Sequence, residues 1–308
     1  MKDFYKKLNK PIYALAPMAG VADSAFRQIC KSFGADIVYS EMISATAIVY
    51  NSKKTLELMK FNKKERPYVV QLFGSKPEHF AQAVKIIEKK IRPDGIDINF
   101  GCPVKKVLKQ GAGAALMADL KLARQVVEAA INNTSLPISI KIRSEVGKIT
   151  ALVFLKHLND LDIKAVMIHG RTLKQGNSGE VNWQIIKQAK KYFRGVILAN
   201  GGAIDKMSAD KLLRLTGVDG VGIGQGALGK PWIFSQLATH NSQPITNKLI
   251  FKTAFEHAKL AHKLKGKRGM VEMRKHLCWY VNGMENASEL RKELVKAEKI
   301  DDIKRILF

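Results

Sequence analysis

Short apolar runs of four or five residues recur along the first three quarters of the chain, each closing on small or polar residues. They are Ile12–Ala16, Ile37–Ser40, Tyr68–Leu72, Gly95–Asn99, Ile138–Ile142, Ala165–His169, Val196–Asn200 and Gly220–Gly224. Between several of them the apolar side chains recur with helical spacing. Pro77–Lys90 carries Phe80, Val84 and Ile87 on one stripe, and Leu120–Asn132, Thr150–Leu158 and Met207–Leu215 behave alike. Strands that read as short continuous apolar runs are those covered on both faces, so the alternation predicts a parallel sheet flanked by helices. Eight such units fit a closed (β/α)8 barrel better than an open doubly wound sheet. An open sheet usually carries a GxGxxG fingerprint after its first strand, and here that strand runs into Pro17-Met18-Ala19-Gly20.

The pattern changes at the polar stretch 238–248, which contains Pro244. Beyond it Leu249–Lys265, Val271–Met284 and Ala287–Lys299 read as helices rich in Lys and Arg. This divides the chain into a barrel domain, 1–240, and a small helical domain, 241–308. With 308 residues, 46% of them hydrophobic, there is material for both and for a full core, which excludes global disorder. Met1–Lys10 is polar and charged and no long apolar run follows, so a soluble, cytoplasmic protein with no membrane partner is expected. The three cysteines, Cys30, Cys102 and Cys278, lie far apart without a CxxC pair. That argues against a disulfide framework or a zinc site and for a reducing compartment.

The chain holds 52 Lys and Arg against 27 Asp and Glu, a net charge of +25. Such an excess attracts polyanions, nucleic acid most simply, although a Lys-rich background composition yields the same number.

In a barrel of this class the chemistry sits at the C-terminal ends of the strands. Read in order, those ends offer Pro17–Gly20, Glu41, Gln71, Asn99 with Cys102, Lys141 with Arg143, His169 with Arg171, Asn200-Gly201-Gly202, and Gly224. The loops after the last two strands are glycine-dense, at 200–202 and 222–232, which lets backbone N–H groups approach a phosphate; tight packing turns give the same composition. Lys141 lies within an apolar strand, where an ammonium is costly unless paired. It either meets an inward carboxylate, Asp97 or Glu41, or faces a cofactor that becomes negative. Gln71 suits hydrogen bonding to a planar heterocycle. His169 could meet a phosphate or a substrate carbonyl, or be structural. Cys102, between Gly101 and Pro103 and near Lys105 and Lys106, can serve as a general acid while protonated or as a nucleophile once ionised.

With these residues in view, the chain resembles the tRNA-dihydrouridine synthases, and most closely their bacterial B-like branch. The matching motifs are APMAGVADSAFR (16–27), YVVQLFGSKPEHF (68–80), DINFGCPVKKVLKQGAGAALM (97–117), IKIRSE (140–145), IHGRT (168–172), ANGGAI (199–204), GIGQGALGKPWIF (222–234) and MRKHLCWY (273–280). They stand in family order and span nearly the whole chain. The resemblance implies an FMN-binding barrel followed by a helical tRNA-binding domain, without a metal. Uridines in tRNA would be reduced to 5,6-dihydrouridine with NADPH or NADH as donor, and a monomer is favoured. It implies that Pro17, Met18 and Ala19 line the flavin and that Gln71 and Lys141 contact its ring system. His169, Asn200, Gly201, Gly202, Gly224 and Gln225 would hold the ribityl-phosphate end. Hydride would pass from reduced FMN to C6 of the uracil, with Cys102 protonating C5. Asn99 and Arg171 would face the uracil, with Arg143 and Lys105 also on the substrate side. Two positions depart from the family pattern: Gln225 stands where Arg is usual, and Gly202 where the close branch more often has an acidic residue. An FMN-dependent dehydrogenase of a free pyrimidine shares the strand-end chemistry but has no use for the charge excess. A non-catalytic RNA-binding barrel has no use for Cys102 and Lys141.

Overall fold

A computed structural model describes residues 3–239 and 244–308 of the chain. Eight parallel strands close into a barrel: β1 (Ile12–Leu15), β2 (Ile37–Ser44), β3 (Tyr68–Phe73), β4 (Gly95–Phe100), β5 (Ile138–Arg143), β6 (Ile163–His169), β7 (Val196–Asn200) and β8 (Gly220–Ile223). Each pairs with its neighbours in chain order, and β8 returns to β1. Every strand expected from the apolar runs is present, with small shifts at the ends.

The continuous apolar runs divide between two environments. One set of positions packs outward beneath the helices, with Val70, Ile98, Ile140 and Ile168 among them. The other set faces the barrel axis, where Ile12, Ala14, Tyr39, Val69, Met167 and Leu198 meet. The inward positions of β3 to β8 become polar toward the C-terminal end, and the register stacks them in levels. Gln71, Asp97 and Ser139 share one level; Asn99, Lys141 and Met167 share the next; Arg143, His169, Asn200 and Gly222 share the third. At the opposite end the turn Phe4–Lys7 inserts Tyr5, 1% exposed, among the inward residues, and its hydroxyl lies 3.3 Å from that of Tyr39. The barrel therefore has a closed floor and an open mouth.

Side-chain caps start the surrounding helices. Asp23, Asp119, Thr150 and Asn182 each accept a hydrogen bond from a first-turn N–H of the helices Ser24–Ser32, Leu120–Ile131, Ala151–His157 and Trp183–Ala189. A two-stranded hairpin, Glu145–Val146 with Ile149–Thr150, follows β5 and is too short for any hydropathy pattern to announce.

The C-terminal helices are Asn247–Lys265, Lys267–Tyr280, Ala287–Leu294 and Ile300–Leu307. The helix expected over Ala287–Lys299 ends at Leu294, and a further helix that was not expected covers Ile300–Leu307. The Asp302 carboxylate accepts the N–H groups of Glu298 and Lys299, which opens a new helix on the stripe Ile303 and Leu307. These helices share a core around Ala258, Met273, Leu277 and Leu294, which also takes in Ala25 and Trp232 from the barrel side. The domain boundary expected at 240/241 lies outside the described residues. Two ties cross from barrel loops to these helices. Lys265 Nζ bonds Asp23 at 2.7 Å and Glu272 at 2.6 Å, and Lys275 Nζ donates to the Gly20 carbonyl. Beside them His257 and His276 are buried against Phe26, with ring centroids 4.7 Å apart from each other.

Among the described residues no helix is long and apolar enough to cross a membrane.

Candidate active site

The barrel mouth holds a cavity of about 330 Å³. Pro17, Met18, Ala19, Gln71, Asn99, Cys102, Lys141, Arg143, His169, Arg171, Asn200, Gly201, Gly202, Gly224 and Gln225 all line it. Lys105 does not; it lies exposed in the short helix Lys105–Leu108 on the rim. Glu41 also stands apart from the other strand ends. The pairing of β2 with β3 gains one residue between Tyr39 and Met42, a bulge that sets Met42 level with Gln71 and turns it inward. Glu41 instead accepts a hydrogen bond from the Gly20 N–H. Met42, Asn177 and Ile204 line the cavity unannounced by the sequence; a bulge and two loop positions carry no periodic signal.

A continuous polar string runs through the levels. Ser139 Oγ donates to Asp97 Oδ1 at 2.6 Å, and Gln71 Nε2 donates to Asp97 Oδ2 at 2.7 Å. Asn99 Nδ2 donates to Gln71 Oε1 at 2.8 Å. Asn99 Oδ1 in turn accepts the backbone N–H groups of Gly101, 3.0 Å, and Cys102, 2.9 Å. One carboxylate thus fixes which way two side-chain amides point, and the second amide holds the turn that carries the thiol. Asp97 reaches Lys141 only through space, since its two oxygens are occupied by Ser139 and Gln71. The ion pair considered for Lys141 with Asp97 or Glu41 is therefore not what the strand contains.

Cys102 is 9% exposed and packs with Val107, Ala112, Met42 and Phe73. The following loop folds back on it, the Ala114 N–H bonding the Cys102 carbonyl at 3.1 Å. Gly113 makes that return at φ 62°, and a Cβ there would stand 3.0 Å from both Cys102 Cβ and its carbonyl oxygen. Lys106, like Lys105, is exposed on the outside of this loop.

Arg143 ties the neighbouring loops together. Its Nε donates to the Gly101 carbonyl at 2.8 Å, and its Nη1 donates to the carbonyls of Thr172 and Gly176 at 3.0 and 2.7 Å. A guanidinium so engaged positions the walls of the cavity, which it also lines.

The glycine loops of β7 and β8 face each other across the third level. Asn200 Nδ2 donates to the Gly222 carbonyl at 2.7 Å, linking the two strand ends. Gly201 has φ 96°, and a Cβ on it would lie 2.6 Å from His169 Cδ2 and 3.3 Å from Arg171 Nη1. The backbone is left bare where a phosphate could approach its N–H groups, and the imidazole and guanidinium stand over it.

Charge in this enclosed space is strongly redistributed. Burial pushes the Asp97 carboxyl up to about 6, against the hydrogen bonds from Ser139 and Gln71 and the Lys141 cation. Burial and then the nearby Arg143 bring Lys141 down to about 8, so it stays cationic near neutrality. Burial, with Lys141, Arg143 and Arg171 around it, holds His169 down to about 2, and the imidazole is neutral at any working pH.

Comparison with known proteins adds four findings. The family model described as dihydrouridine synthase matches residues 14–307. A probable tRNA-dihydrouridine synthase of Aquifex aeolicus is 34% identical over 297 residues, covering 95% of this chain and 94% of that protein. One from Rickettsia bellii is 36% identical over 286 residues, covering 90% and 87% respectively. Among solved structures, histamine dehydrogenase from Rhizobium sp. 4-9 is similar with a TM-score of 0.57 at 10% identity, over 80% of this chain and 48% of that one. At that identity the likeness concerns the fold alone.

Proposed function

Because the chain belongs to the dihydrouridine synthase family, we propose that its barrel mouth binds FMN and reduces uridines in tRNA to 5,6-dihydrouridine, with NADPH as electron donor. The observation that carries this reading is one cavity walled by both a thiol on an amide-held turn and a glycine cradle on the last two strands.

The residues fit the cofactor. The bare backbone at Gly201, Gly202 and Gly224 suits its phosphate, and Pro17, Met18 and Ala19 form the wall by β1. Gln71, its amide fixed by Asp97, offers a hydrogen-bonding edge to a planar ring. Lys141, one level above Gln71, sets a cation against that ring. When bound, the flavin supplies the hydride for C6 of the uracil.

The rest falls to the protein. Cys102 Sγ delivers a proton to C5, completing the saturation of the C5=C6 bond. Asn99 keeps the thiol in place through the Cys102 N–H, and Met42 and Phe73 shield it from water. A uracil reaches this depth only by leaving its stack, as in other enzymes that act on a base.

The charge excess supports tRNA over a free pyrimidine as substrate. Not every cation of the C-terminal helices is available for that grip. Lys265 and Arg268 are paired with Glu272, and Lys275 bonds Gly20. Lys263, Lys267 and Lys292 are exposed, as is Lys105 on the rim, and these are the residues assigned to the tRNA backbone.

Cys102→Ala tests the reading. It should keep its yellow colour and still be reduced by NADPH, while dihydrouridine formation in unmodified tRNA falls by roughly 10²–10⁴. Undiminished product would reject the acid, a colourless wild-type protein would reject the cofactor, and faster turnover of free uridine than of tRNA would reject the substrate.

A further inference from the structure

Resting on the FMN reading above, we propose that Arg171 binds the cofactor's terminal phosphate through the outer end of its guanidinium. This replaces the uracil-facing role that the family resemblance implies for it.

The basic side chains that line the cavity are Lys141, Arg143, His169 and Arg171. Arg143 donates to three backbone carbonyls and serves the loops. His169 is neutral. Lys141 lies one register level deeper than His169, Asn200 and Gly222, away from the glycine loops and beside Asn99. Arg171 is both basic and at the right place. Its Nε donates to the Gly179 carbonyl at 2.8 Å, which fixes the plane of the group. Its Nη1 stands 3.3 Å from the point a Gly201 Cβ would occupy, directly over the cradle.

The chemistry of the partner follows. A phosphate monoester carries close to two negative charges near neutrality and presents several acceptor oxygens, which a planar fork of N–H donors matches. The remaining donors at this end, backbone N–H groups, the Gln225 amide and the neutral His169 imidazole, are uncharged. Removing Arg171 should therefore weaken binding of the phosphorylated flavin and leave riboflavin, which lacks the phosphate, unaffected.

The experiment titrates full-length protein freed of flavin, following quenching of flavin fluorescence, with FMN and with riboflavin in parallel. Arg171→Met should bind FMN roughly 10–100-fold more weakly, the loss expected for one charge-assisted contact, with riboflavin unchanged. Arg171→Lys should recover part of the FMN affinity, and adding Gln225→Arg to Arg171→Met should restore a preference for FMN over riboflavin. Equal loss for both flavins would make Arg171 a support of the 171–179 loop and overturn the proposal, as would no loss for either. A wild-type protein that binds neither flavin would overturn the FMN reading itself, a result distinct from the other two.

Discussion

Acid should loosen the seam between the barrel and its C-terminal helices through His257. This imidazole is buried, with Nδ1 3.2 Å from the Tyr280 hydroxyl and its ring stacked on Phe26. Burial, partly offset by the Asp23 carboxylate and reinforced by Lys265, moves it from 6.5 down to about 4. Between those values protons bind the unfolded chain in preference to the folded one, so the stabilisation is complete above 6.5 and is lost as pH falls. Linkage between the two values gives about 2 kcal/mol lost from pH 8 to pH 5, approaching about 3 kcal/mol below pH 4. The ammonium and carboxylates nearby hold steady over that range, whereas His276, pushed down by burial beside His257, adds an acid loss of its own. Lys265, with burial working against it and Asp23 and Glu272 outweighing that, is shifted up. Asp23, despite its own burial, is lowered to about 2 by Lys265 and His257. Other buried groups do contribute to the total: His169 adds to the acid loss, and Asp97, raised to about 6, opposes it.

The quantity to measure is thus a difference. Urea unfolding at pH 8 and pH 5 is compared for the wild type and His257→Gln, which keeps a polar partner for Tyr280. The variant should lose about 2 kcal/mol less on acidification than the wild type. Equal losses in the two proteins would refute the linkage.

Three further outcomes are expected. Gly201→Ala should retain the far-ultraviolet circular dichroism of the wild type but purify with little flavin, because its Cβ would meet His169 at 2.6 Å on a backbone with φ 96°. Arg27→Met should lower stability by about 3–5 kcal/mol in urea unfolding, since it strands Glu65, whose carboxylate is buried 2.6 Å from Arg27 Nε. Asp97→Leu should cost about 1–3 kcal/mol for each donor left without an acceptor, Ser139 Oγ and Gln71 Nε2. It should also speed alkylation of Cys102, followed by peptide mass mapping, because Gln71 and Asn99 lose their fixed orientation.

Much of this architecture was legible in the pattern of apolar and polar positions. The eight strands are short apolar runs because helices cover them, and a residue such as Lys141 betrays the mouth by being charged within one. The polar string was hidden for a related reason. Gln71 and Ser139 stand 26 and 42 residues from Asp97 in the chain, and only the register of β3, β4 and β5 makes them neighbours. Glu41 and Met42 exchanged places because a single extra residue in β2 reverses every side chain beyond it, which hydropathy does not record. The break at 295–299 depends on one carboxylate, Asp302, capping a new helix. The engagement of Arg143 was equally invisible, since its partners are backbone carbonyls, which every residue has.

The closed floor also bears on the order of events. With Tyr5 wedged beneath the barrel axis, the described residues leave the mouth as the way into the cavity. On the proposed reading, a nicotinamide donor and a tRNA base that both need the same flavin would then visit by turns, each leaving before the other enters. Steady-state rates measured at several fixed tRNA concentrations should therefore trace parallel double-reciprocal lines against NADPH, the mark of a substituted-enzyme cycle.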